Sequence, residues 1–175
     1  MSKPGTDALF HEEQKFRRLW IAALVYPGSL CLIVVFGFAM YSQFGQGIPF
    51  GREPMPDGVL WFLGPFMILL GAFLIFLFTT MRLLTTVRRD GLYIRYMPFV
   101  NRKIDFQSID LCEVRMYHPL KEYGGWGIRG GRSGRAYNVR GNRGVQLRFK
   151  NGTKLMIGSQ QADELARAII EMMRG

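Results

Sequence analysis

The sequence predicts a membrane α plus β protein: a two-helix transmembrane hairpin, then an antiparallel β-barrel with one C-terminal helix. Three observations predict it. Residues 19–51 and 58–81 carry no charged side chain. From about residue 83 apolar and polar residues alternate in short runs broken by Gly, Asn and Asp, the period of half-buried strands. The chain then ends on a run with Leu165, Ile169, Met172 and Met173 at helical spacing. With 49% hydrophobic and 21% charged residues, disorder is excluded.

The helices come first. A span needs about 20 mostly apolar residues, which places the first at 19–41 and the second at 59–81. Both lack a polar face, unlike buried core helices of a soluble protein. No small-residue cleavage site follows the first run, so it reads as a span rather than a cleaved leader. Pro27-Gly28 and Gly64-Pro65 lie inside the spans as expected kinks, and Trp20, Tyr41 and Trp61 lie near span ends as expected interfacial aromatics. Residues 1–18 read as a cytoplasmic interfacial segment, with a helix over 6–20 that sets Leu9, Phe10 and Phe16 to one side and pairs Glu13 with Arg17.

Orientation follows from the basic residues. The leading segment holds Lys3, Lys15, Arg17 and Arg18; the loop 42–58 holds only Arg52, against Glu53 and Asp57. After the second span come 18 Lys and Arg against 8 Asp and Glu. The positive-inside rule then puts both termini in the cytoplasm and the short loop outside, as in a multi-pass protein of the inner (cytoplasmic) membrane. The net charge of +10 therefore meets anionic lipid rather than nucleic acid.

Residues 83–175 form the expected cytoplasmic domain. Runs at 84–87 and 92–96 flank Asp90-Gly91, and a two-residue Asp-Gly loop would set Val87 opposite Ile94 and Thr85 opposite Tyr96. Short strands follow at 103–106, 111–117 and 135–140. In the last hairpin, Val145, Leu147 and Phe149 alternate with polar residues, as do Leu155 and Ile157. A two-residue Asn-Gly loop would mix the faces. A three-residue loop, Lys150-Asn151-Gly152, sets Leu147 opposite Leu155 and Val145 opposite Ile157, with Gly152 at positive φ. Ser159 is placed to cap the final helix, with Asp163 and Glu164 near its positive end.

Several motifs carry a resemblance. They are Ile104-Asp105-Phe106-x-x-Ile109, Val114, Glu13-Gln14-x-Phe16-Arg17-x-x-Trp20, Gly124-Gly125-Trp126-Gly127-Ile128-Arg129, Ala136-Tyr137-Asn138, Gly141-x-x-Gly144-Val145-x-Leu147 and Ile157-Gly158-Ser159-Gln160. With them the chain resembles an uncharacterised prokaryotic family of two-transmembrane-helix proteins with a cytoplasmic pleckstrin-homology-like (bacterial PH) domain. The resemblance implies a PH-like barrel and brings no activity or ligand, since a fold does not dictate one.

The stretch 124–144 is the most unusual. It holds eight Gly, five Arg (Arg129, Arg132, Arg135, Arg140, Arg143) and no acid. Backbone N–H groups bared by Gly can cradle an anion, and Arg pairs with phosphate through two N–H groups. It is neither a P-loop nor a dinucleotide fingerprint. The competing reading is a sheet edge with solvated Arg side chains. Trp126, between glycines, reads as a plug for one end of the barrel or as an anchor for a partner. These residues are the candidate binding surface for anionic headgroups, a protein partner or a second copy. Arg148, Lys150 and Lys154 are expected on other faces.

Catalysis finds little support. His11 and His118 are separate, Cys31 and Cys112 fall in different compartments, and Asp105, Asp110 and Glu113 flank a turn where such residues are common. No metal or cofactor motif is present and no small-molecule substrate is indicated. The spans hold no ionisable group for transport. The expected function is a non-enzymatic membrane protein presenting a binding module, or a structural subunit of a larger membrane complex.

Overall fold

A computed structural model describes residues 8–15, 19–131 and 134–174. The apolar runs fold as helices α1 (Leu19–Met40), which continues into a π-helical turn at Tyr41–Gly45, and α2 (Asp57–Thr80). Both are long and apolar enough to cross a membrane. They form one compact unit, packed on each other through small residues. A Cβ on Gly71 would stand 2.7 Å from the Ser29 carbonyl oxygen, and one on Gly64 2.5 Å from the Met40 sulfur. The helices approach because those side chains are missing.

The second unit is made of strands. One sheet runs β1-β2-β3-β4, with β1 Ala8–Lys15, β2 Arg82–Arg88, β3 Gly91–Met97 and β4 Val100–Ile104. The other contains β5 Ile109–Met116, β6 Gly127–Gly131, β7 Gly134–Asn138, β8 Arg143–Phe149 and β9 Lys154–Gly158, in the order β5-β8-β9-β7-β6. All neighbours are antiparallel except β7 and β9, which run parallel. A short helix α3 (Pro119–Tyr123) follows β5, and α4 (Ala162–Arg174) ends the chain. The sequence predicts a closed barrel; the strands instead form two open sheets. After β4 the Asp105 carboxylate accepts the Gln107 N–H at 3.0 Å and holds a 3₁₀ turn at Phe106–Ser108, so the ladder stops there and β5 pairs with β8.

The segment expected to be an interfacial helix contains β1. Lys15 stands opposite Arg82 and His11 opposite Thr86, so β1 groups with the sheets and the helical hairpin is an insertion between two neighbouring strands. Arg17, the expected partner of Glu13, lies outside the described residues; Glu13 pairs with Arg82 at 3.3 Å. The inward residues of β1 are Phe10, Glu12 and Gln14, all buried. The Glu12 carboxylate accepts the Ser159 hydroxyl and the Gln160 N–H, and the Gln14 amide donates to the Gly158 carbonyl at 2.8 Å.

Val145 faces Ile157 and Leu147 faces Leu155 across a three-residue turn with Gly152 at φ +80°, as expected. The β2–β3 turn is Arg89-Asp90 rather than Asp90-Gly91: Val87 faces Leu92 and Thr85 faces Ile94. The shift is two residues, so the inward face is the same. The main core combines Leu83, Ile94 and Tyr96 of the first sheet with Leu147 and Ile157 of the second, closed by Leu165 and Ile169 of α4. The Ser159 hydroxyl accepts the Gln161 N–H at 3.0 Å, one residue before α4 begins.

Candidate binding surface

The Gly/Arg stretch is a hairpin, not a loop. β6 and β7 pair from Gly127 opposite Asn138 to Gly131 opposite Gly134, and β6 is the outer edge of the five-stranded sheet. Gly134 has φ +101°, and a Cβ there would lie 2.4 Å from the Lys154 carbonyl oxygen. The close parallel approach of β7 to β9 therefore depends on glycine. Sequence reasoning missed β6 because Gly-Ile-Arg-Gly-Gly has no alternation to detect.

The hairpin separates the candidate residues. At its base the Trp126 indole N–H donates to the Gly141 carbonyl at 3.0 Å, and the Arg129 Nε donates to the Trp126 carbonyl at 3.1 Å. Arg143 pairs with Asp163 in the first turn of α4 at 2.9 Å. Arg140 is exposed, and its carbonyl accepts the Gln160 amide at 3.4 Å. Arg135 stands at the far end of β7, opposite Gly130. Arg132 lies outside the described residues. The structure thus does not gather these arginines into one patch: Arg140 and Arg143 sit near the start of α4, and Arg135 sits elsewhere.

Arg135 has other company. It lines a groove of about 590 Å³ with Arg102 of β4, Phe149 and Lys154. A second hollow of about 320 Å³ shares Arg102 and Phe149 and adds Lys150 and Asp105. Lys150 and Lys154, expected on another face, therefore belong with Arg135, while Arg148 bonds Asp110 at 2.8 Å. The β8–β9 turn and the β6–β7 hairpin come together through the parallel β7–β9 contact, which no local pattern announces. Among the described residues, no ion pair engages Arg102, Arg135, Lys150 or Lys154. The Arg102 guanidinium lies 5.6 Å from the Phe149 ring centre, so the aromatic face positions it.

The remaining reactive groups have structural surroundings. Burial, helped by the Glu113 charge, pushes the Cys112 thiol up to about 12, so it stays protonated at neutral pH. Burial also raises Tyr117 and Tyr123 (the last residue of α3), whose rings meet edge-to-face at 5.9 Å. Glu122 pairs with Arg115 and accepts the His118 N–H at 2.8 Å.

No curated protein and no solved structure matches the chain. A family model described as "Family of unknown function (DUF6141)" matches residues 1–174, and the chain belongs to that family.

Proposed function

We propose that this is a non-enzymatic integral membrane protein that holds a PH-like binding module at the cytoplasmic face of the cell membrane. The observation that carries the reading is the pairing of β1 with β2 across the helical hairpin. Because Lys15 and Arg82 are neighbours in one sheet, helices that cross must leave from and return to the same side. The domain is then tethered to the hairpin through two neighbouring strands of one sheet. The Lys/Arg bias makes that side the cytoplasm. A four-stranded sheet, a five-stranded sheet and a C-terminal helix packed on both support the PH-like assignment. The cations around Arg135, without an ion-pair partner among the described residues, favour anionic headgroups as the contact. A second reading, an accessory subunit of a membrane complex, is favoured by Met116 and Leu120, apolar side chains exposed at 70% and 66%.

Reporter fusions test the arrangement. Fusions at Gly5, Gly51 and Gly175 are expected to read inside, outside and inside. An outside reading at Gly175 overturns the orientation, and with it the cytoplasmic placement of the module.

A further inference from the structure

The groove between β4, the start of β7 and the β8–β9 turn is lined by more cationic side chains than acidic ones. Four cationic side chains line the two joined hollows without an acid partner among the described residues: Arg102, Arg135, Lys150 and Lys154. Lys103, also on the rim, is occupied by Asp90 at 2.8 Å. The one lining acid, Asp105, accepts the Gln107 N–H through Oδ1 and sets a single negative charge against the cations. Asn151 Oδ1 accepts both the Thr153 N–H at 3.0 Å and the Thr153 hydroxyl at 2.7 Å. Its NH₂ group, a donor, is the polar group left. Gly130, Gly134 and Gly152 bare the backbone along the same wall.

We propose that this groove is a binding site for a phosphate group. A concave surface lined by cations concentrates anions, and its low-dielectric floor at Phe149 sharpens the field. Two guanidinium forks match the oxygen geometry of phosphate, and the two lysines add charge without demanding direction. A metal ion would meet net repulsion, since the lining cations outnumber the one lining acid. The phosphate comes either from a lipid headgroup or from a soluble phosphorylated compound. The site deepens the binding-module reading and rests on it only for the lipid source.

The test uses the full chain in nanodiscs, with amide hydrogen exchange over residues 149–155 as the readout. Inorganic phosphate is titrated into phosphatidylcholine discs; separately, discs containing phosphatidylglycerol are used without phosphate. Saturable protection by free phosphate assigns a soluble ligand. Protection by phosphatidylglycerol discs alone assigns the headgroup. Protection in neither arm overturns the site. R102Q/R135Q/K154Q is expected to weaken the effective ligand by about tenfold or more. The control R89Q/R167Q/R174Q, exposed and outside the groove, removes the same charge and should stay within about twofold. K150Q/K154Q leaves the Arg102–Phe149 stack intact and should also lose affinity, which guards against misfolding of the triple variant. Equal losses for groove and control variants would mean bulk charge and overturn the proposal. Failure of the reporter fusions leaves the phosphate titration unaffected, so the two readings fail separately.

Discussion

The Glu12 carboxylate and the Ser159 hydroxyl are joined by a hydrogen bond of 2.5 Å, across 147 residues of sequence. The second carboxylate oxygen takes the Gln160 N–H at 2.9 Å. One buried acid on the first strand thus closes the turn that launches the last helix. Ser159 in turn accepts the Gln161 N–H, so the carboxylate, the hydroxyl and the backbone form one chain of bonds leading into α4. Gln14 adds a third tie to the same turn through the Gly158 carbonyl. The motifs Glu13-Gln14 and Ile157-Gly158-Ser159-Gln160, read from the sequence as separate marks of resemblance, flank or form one structural junction.

Glu12→Ala should therefore destabilise the domain although it removes no apolar contact. It leaves a buried hydroxyl and a partly buried N–H without their acceptor, a loss of about 1–3 kcal/mol. Glu12→Gln keeps one acceptor oxygen and should cost less. Denaturant midpoints of the full chain in detergent measure both. An alanine variant as stable as the parent would show that the junction adds nothing to stability.

The insertion of the hairpin between β1 and β2 changes how the domain can be isolated. A fragment of residues 83–175 lacks β1; it bares the edge of β2 and strands the Ser159 hydroxyl. It should aggregate or melt without cooperativity. A chain joining residues 1–16 to 81–175 through a linker of about four residues, a length suited to closing an antiparallel pair, should instead be soluble and β-rich. Circular dichroism and gel filtration of the two chains decide this. Equal cooperativity in both would mean that β1 is dispensable.

The fold was legible where local chemistry decides it. Charge-free length announced both apolar helices, and alternation plus Gly152 fixed the β8–β9 register to the residue. The first hairpin slipped because Asp-Gly is the stronger local turn signal. In the structure Gly91 opens β3 instead, and a Cβ there would crowd the Ile104 carbonyl at 3.0 Å. β1 was illegible because Glu12 and Gln14 occupy its inward face, so no apolar alternation marks it. The groove was illegible for a different reason. Arg102, Arg135 and Lys154 come from three strands, and only the parallel β7–β9 pairing and the meeting of the two sheets bring them together.

Alkaline pH should destabilise the domain through buried weak acids, and the exposed Lys103–Asp90 pair, which holds the Lys103 ammonium above its usual range, is lost in the same direction. Burial pushes Tyr96, fully enclosed between the sheets, from its usual 10 up to about 12, and Cys112 from 9 up to about 12. Below pH 9 both groups are protonated in the folded and unfolded chains, so neither affects stability. Above pH 9 the unfolded chain releases the Cys112 proton while the folded chain retains it, and above pH 10 Tyr96 does the same. Stability therefore falls as pH rises, until both folded groups titrate near 12. Each group contributes a slope of at most about 1.4 kcal/mol per pH unit. Tyr117 and Tyr123, also raised by burial, add to the loss in the same direction. Cys112→Ser should remove the onset near pH 9. Tyr96→Phe should reduce the slope between pH 10 and 12 while sacrificing only a long hydrogen bond of 3.4 Å to the Asn138 carbonyl. Denaturation midpoints of the full chain and both variants, taken across pH 8 to 12, follow each contribution, and a pH profile unchanged in both variants would refute the assignment.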